Sequence, residues 1–223
     1  MEGYVNFDRQ DIGQASLTEA CSCLSRIHGN KHLWKYAIIS IHNALQCYLS
    51  IALRGGSGID TWKKPHAKKW LKAYGDSRAS EGLKDLPSVQ LDYFMELYDK
   101  LFVNKPDTQR ELINWLNETR NEFIHFNSDS YSVYEPSMLA AFEQALEDIK
   151  TTPSLSKGIF FYNDEQHARF TASCDELTCL LEEFNKTKHS QVRTCVGGVL
   201  AISIDHAKLG VGKICRYLIN MRR

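Results

Sequence analysis

Apolar residues recur along this chain with a helical period and seldom with a strand period. Trp34, Ala37, Ile38, Ile41, Leu45, Tyr48, Leu49 and Ala52 form a stripe of period near 3.6 that stops at Gly55-Gly56-Ser57-Gly58, and this spacing predicts a helix. Upstream, Leu17, Ala20, Cys21, Leu24 and Ile27 follow Ser16-Leu17-Thr18-Glu19. That tetrad is a capping box, in which Ser16 bonds a first-turn N–H and Glu19 reaches back, so a first helix is expected from Ser16 to about His28.

Residues 59 to 86 carry Pro65, Gly75, Gly82 and much charge, which predicts a loop with one short helix around Lys68 to Tyr74. After Pro87, Ser88 is expected to cap a helix whose buried face is Leu91, Phe94, Met95, Tyr98 and Leu101. A second capping box, Thr108-Gln109-Arg110-Glu111 after Pro106, opens a helix facing inward with Leu112, Ile113, Leu116 and Phe123. It should end near His125, because Asn127-Ser128-Asp129-Ser130 gathers turn formers. Pro136 suits the first turn of the next helix, with Met138, Leu139, Phe142, Leu146 and Ile149 inward.

Past Pro153 the pattern changes. Ile159 to Tyr162 and His167 to Thr171 read as strand-like around a polar turn, a candidate small β-hairpin. Ser173-Cys174-Asp175-Glu176 then caps a helix through Phe184, and the apolar tail is broken at Gly197-Gly198, Gly210 and Gly212, with a helix expected near its end. The predicted fold class is mainly α: an up-and-down helical bundle over residues 1–150, with a C-terminal extension over 151–223 packing on it.

Composition narrows the function classes. A hydrophobic content of 43% in 223 residues is ample for a packed core. Lys and Arg number 27, and so do Asp and Glu, so no global charge draws the chain to nucleic acid or membrane, and any such contact must be a local patch. The seven cysteines are an odd count, and Cys21, Cys47, Cys179 and Cys215 lie among apolar neighbours, as reduced core thiols of a cytoplasmic protein do. Cys21-Ser22-Cys23 is too tight for a zinc knuckle and has no partner pair, so neither a metal nor a cofactor is expected. The N-terminus lacks a basic and an apolar region, arguing against a secretory signal. Leu33 to Leu53 approaches the length of a membrane span, but Lys35, His42, Asn43 and Gln46 interrupt it, and a buried amphipathic helix is the expectation.

The one local basic patch runs from Trp62 to Tyr74 and mixes five Lys with three aromatics, a composition that neutralises phosphates and stacks bases. Lys63, Lys64, Lys68, Lys69 and Trp70 are therefore candidate RNA-binding residues, against the alternative of a solvated Lys-rich loop with its aromatics folded onto the core. His42 and Gln46 share a face of their helix and read as a hydrogen-bonded pair within the bundle. Ser203, Asp205 and His206 lack a nucleophile elbow, and Gly55 to Gly58 lack the Lys-Ser/Thr of a phosphate loop.

The remaining chemistry sits at the end of the helix opened by Thr108. At about 100° per residue, Asn121 and His125 project about 40° apart on one face, and Arg120 beside them has the reach to join. Metal-free RNA cleavage needs a group that moves protons at the 2′-hydroxyl or the leaving 5′-oxygen, and a cation for the charge on phosphorus. His125 and Arg120 supply these, and Asn121 can orient the ring or donate to the phosphate. A helix-terminal Arg and His also serve simply to satisfy the last carbonyls and the helix dipole.

Arg120-Asn121-Glu122-Phe123-Ile124-His125, together with the earlier helix through Ala37-Ile38-Ile39-Ser40-Ile41-His42-Asn43-Ala44-Leu45, resembles the HEPN superfamily (higher eukaryotes and prokaryotes nucleotide-binding) over about residues 15 to 150. Its bundle carries an Arg, a polar residue, three variable residues and a His, to which Arg120, Asn121 and His125 correspond. The resemblance implies a homodimer whose two motifs face one cleft, an endoribonuclease cutting single-stranded or tRNA-like RNA without metal to leave a cyclic phosphate and a 5′-hydroxyl. It also implies a toxin or antiphage defence effector, with an antitoxin or other regulatory protein as a partner. One branch of such toxins places a Tyr two residues after the His, where this chain has Asn127, so control by modification there is not implied. The alternative is a catalytically inactive helical module that binds nucleotide, RNA or protein.

Overall fold

The computed structural model describes residues 6–79, 86–125 and 129–196, with side chains as far as Lys186. Seven α-helices make up the described chain: α1 (Arg9–Arg26), α2 (Leu33–Leu53), α3 (Lys64–Ala79), α4 (Phe94–Leu101), α5 (Asp107–His125), α6 (Glu135–Thr151) and α7 (Asp164–Val196). The mainly α class is as expected. The tail from Gly197 lies outside the described residues, as do Phe126, Asn127 and Ser128 of the expected turn-former cluster.

Helix α2 is the axis, with α1, α4, α5 and α6 packed around it and α7 laid along α1. Its stripe is fully enclosed, since Ala37, Ile38, Ile41, Leu45 and Leu49 are all at 0% exposure. Each such Ile or Leu contributes roughly 1.5–3 kcal/mol of burial free energy. The close approach of α1 and α2 depends on Gly13, where a Cβ would lie 3.1 Å from the Tyr48 ring. At the other end, Glu135 accepts from Trp34 Nε1 at 2.9 Å and from Lys31 Nζ at 2.6 Å, tying the start of α6 to the start of α2. Asp148 on α6 is wholly buried and accepts from Tyr98 Oη at 2.8 Å, Lys105 Nζ at 2.6 Å and Gln144 Nε2 at 3.0 Å. Burial and that neighbouring carboxylate push the Tyr98 phenol pKa upward.

Several expected boundaries move. Helix α1 begins at Arg9, capped by Asp8, whose Oδ1 accepts from Asp11 N at 2.8 Å; Ser16 is then mid-helix and its capping box is not used. Helix α3 runs from Lys64, because Pro65 falls in its first turn, where a missing N–H costs nothing, and Gly75 is carried inside the helix. Ser88 caps nothing: helix α4 starts only at Phe94, and Leu91 instead pairs as an isolated antiparallel bridge with Trp62.

The candidate β-hairpin does not form. Ile159 to Tyr162 are irregular, and Asn163 Oδ1 accepts from Gln166 N at 2.9 Å, starting α7 so that His167 to Thr171 are helical. The aromatics that looked like a strand meet through the helix instead. Phe170 stands on α7 at 5.2 Å from the Phe161 ring and 5.1 Å from that of Tyr48. The helix expected from Ser173 is the middle of α7.

Candidate functional site

Helix α5 delivers the motif. Its first turn is tied to α4 by a two-pronged ion pair, Arg110 Nε and Nη2 to the two Asp99 carboxylate oxygens, each at 2.7 Å. Ile113, Leu116 and Thr119 are buried along it, so the next residues are fixed in rotation relative to α2. On that face Asn117 reaches α2, with its Oδ1 3.0 Å from His42 Nε2.

His42 is 2% exposed and lies 4.1 Å, centroid to centroid, over the Phe94 ring. With the Asn117 oxygen as acceptor the ring proton is on Nε2, and Nδ1 is buried on the side of Asn43. Burial lowers the imidazole pKa from its ordinary 6.5 to about 4, with the Asn117 bond opposing and the nearby Arg120 charge adding to the depression. The ring is therefore neutral at pH 7.

Arg120 comes one turn after Asn117. It is half-buried, its Nη1 donates to Asn121 Oδ1 at 3.0 Å, and its Nε is buried without a partner. Burial alone pushes the guanidinium pKa downward, though so strong a base stays charged. His125 is the last residue of α5 and is exposed to solvent. Arg120 and Asn121 are thus held together at the flank of the bundle, with His125 one turn on at the helix end. Close by, Tyr131 packs edge-on to Phe123 at 5.7 Å.

The basic candidates sit elsewhere. Lys63 is committed: its backbone N–H donates to Gln90 O at 3.0 Å and its ammonium lies 4.0 Å above the Tyr93 ring. Trp70 is half-buried, stacked on Tyr74 at 5.0 Å and edge-on to Trp62 at 5.4 Å. Lys64, Lys68 and Lys69 are exposed. So the aromatics of this segment mostly satisfy one another, while these three lysines and Lys72 face water. α3 follows the C-terminal end of α2 through Thr61 and Trp62, which join Asp92 and Leu91, whereas Arg120 lies near His42 at the middle of α2.

Sequence reasoning missed Asn117 and mispaired His42, which bonds across to α5 rather than to Gln46. A His inside the stripe between Ile38 and Leu45 signalled that some buried partner was required. Only the rotation of α5 identifies it. Comparison of the chain with protein-family models, curated proteins and solved structures returns no match in any of the three.

Proposed function

We propose that the chain is a HEPN-like, metal-independent endoribonuclease whose catalytic groups are Arg120, Asn121 and His125. The supporting observation is the pairing of the Arg120 guanidinium with Asn121 one turn before an exposed, helix-terminal His125. In this reading the RNA 2′-oxygen attacks phosphorus and the 5′-oxygen leaves, giving a cyclic phosphate and a 5′-hydroxyl. His125 moves a proton, and Arg120 offsets the charge gained on the phosphoryl oxygens. One His cannot serve both ends of the reaction at once, so the active species is a homodimer with a second motif across the cleft. A toxin or antiphage role, with a regulatory partner, belongs to the same proposal.

The test is cleavage of mixed RNA by the pure protein in excess chelator, with the new ends mapped. Cyclic phosphate ends that persist in chelator support the mechanism, and cleavage abolished by chelator overturns it. The half-burial of Arg120, with Nε turned into the bundle beside His42, favours a second reading, in which the same residues only fasten α5 to α2 in a binding module. Absence of cleavage on every RNA tried supports that reading.

A further inference from the structure

At the C-terminal end of α2, the start of α1, the turn after α2 and the segment before α7 line a cleft of about 470 Å3. That volume is within the range of small-molecule sites, roughly 300–1,000 Å3. Arg54, the C-cap of α2, is twelve residues from His42, about 18 Å along the helix axis, so the cleft is separate from the Arg120 site.

Two guanidiniums line it, Arg9 from α1 and Arg54 from α2, and neither has a carboxylate partner among the described residues. Arg54 Nη1 is 3.4 Å from the Tyr162 hydroxyl, a long contact that leaves its remaining donors unused. Asp8 is also at the rim, but one of its oxygens is taken up in capping Asp11 N. The first turn of α1 lines the same cleft and adds the positive end of an 18-residue helix. The site therefore has a surplus of positive charge.

Its walls are mixed, with Asp8, Gln10, Ser57 and Thr61 among apolar side chains that are largely uncovered. Phe7 (73% exposed), Ile159 (73%) and Tyr162 (61%) are among the five most exposed large apolar side chains of the described residues, and all three line this cleft with Trp62. Side chains of this kind left bare around two unpaired arginines match a ligand with a flat apolar part and an anionic part. The base is firmly built: Gln10 Nε2 donates to Phe160 O, Lys157 N donates to Ala52 O at 2.9 Å, and Gly58, in the left-handed region at φ 72°, closes the turn with its N–H 2.6 Å from Arg54 O.

We infer that this cleft binds a phosphate monoester borne on an aromatic base, with Arg9 and Arg54 holding the phosphate and Trp62 and Tyr162 flanking the base. A phosphate monoester carries about 1.5–2 negative charges at pH 7, and the guanidinium fork fits its oxygens. A free nucleotide and the 5′-phosphate end of an RNA share this chemistry. The inference stands independently of RNA cleavage.

The test is calorimetric titration of the full chain with adenosine 5′-monophosphate, adenosine and inorganic phosphate. The monophosphate should saturate, with adenosine and phosphate each at least about ten-fold weaker, and Arg54→Gln should weaken the monophosphate by about ten-fold or more, the size expected for a lost charge-assisted contact. Arg9→Gln gives the same readout if Arg54→Gln does not fold. Tyr162→Ala should weaken binding about three- to ten-fold through lost stacking. The Lys68→Ala, Lys69→Ala double variant should bind as well as the parent, and a loss there would move the site to α3 and overturn the assignment. No saturation by the monophosphate, or unchanged affinity in both arginine variants, also overturns it. Short oligoadenylates with and without a 5′-phosphate separate the sources: a phosphorylated oligomer binding as tightly as the monophosphate assigns the cleft to RNA ends, and a markedly weaker one assigns it to free nucleotide.

Discussion

His42 Nε2 and Asn117 Oδ1 face each other at 3.0 Å across the α2–α5 contact, one helical turn before Arg120. Removing the amide while keeping its bulk leaves a buried imidazole N–H with nothing to bond. Asn117→Leu is expected to cost about 1–3 kcal/mol in urea unfolding. An unchanged midpoint and slope would show that the bond contributes nothing.

The same ring makes stability depend on pH. Its pKa is about 4 in the folded chain against an ordinary 6.5, so between those values the unfolded chain binds a proton that the folded chain does not. Stability from this group is complete above about pH 6.5 and falls as pH drops toward 4, by at most about 3 kcal/mol. His42→Gln should flatten unfolding free energy over that window. A slope identical to the parent's would contradict the assignment.

His125 is exposed and Arg120 half-buried, so their truncations should differ in stability while agreeing in activity. His125→Ala is expected to melt like the parent, within about 0.5 kcal/mol, whereas Arg120→Ala should lose about 1 kcal/mol through its packed stem. Each should abolish RNA cleavage with affinity largely retained, because the lost interactions act in the transition state. Gel-based cleavage and binding assays on both variants check this, and turnover retained by either makes the motif structural.

Asp148 offers the sharpest stability test away from the site. Its carboxylate, at 0% exposure, holds Tyr98, Lys105 and Gln144. Asp148→Ala leaves the Lys105 ammonium without its partner and three donors unmatched, and a loss of about 3–5 kcal/mol is expected in chemical denaturation.

If α3 guides RNA, its exposed lysines should matter, the candidates Lys64, Lys68 and Lys69 among them. Lys64→Ala, Lys68→Ala and Lys69→Ala together should reduce the slope of log K against log salt by about 2, at roughly 0.7 per phosphate contact on a single strand. Lys63→Ala should change it little, because that ammonium is engaged over Tyr93. Filter binding across salt concentrations measures both.

The parts of the fold that were legible in the sequence are those where burial is one-sided and periodic. The stripe of α2 and the inward face of α6 are the clearest cases, since Met138, Leu139, Phe142, Leu146 and Ile149 are all buried as read. The first turns of α1 were not legible, because Arg9 to Gln14 hold the helix with an Asp cap and a glycine packed on a ring, neither of which makes an apolar rhythm. The aromatic run at 159–162 misled for a related reason, as Phe160, Phe161 and Phe170 cluster across a helix start and alternate in sequence without pairing as strands. Around the candidate site, the placement of Arg120, Asn121 and His125 on one helix could be read from spacing, but the link of His42 to Asn117 depends on the rotation of two helices.

The enclosure of α2 has a consequence for synthesis. Once Leu53 has been made, α2, the most apolar of the described helices, has among them only α1 to lie against, since α4, α5 and α6 come later and the last ends at Thr151. At about 5–20 residues per second on the ribosome, the faces meant for them stay bare for roughly 5–20 seconds. By length and composition the segment Leu33–Leu53 qualifies as a membrane span, so over that interval the nascent chain presents what a targeting factor or a chaperone would seize. Over that interval α1, seated by Gly13 on Tyr48, is the one described helix already made that can cover part of α2.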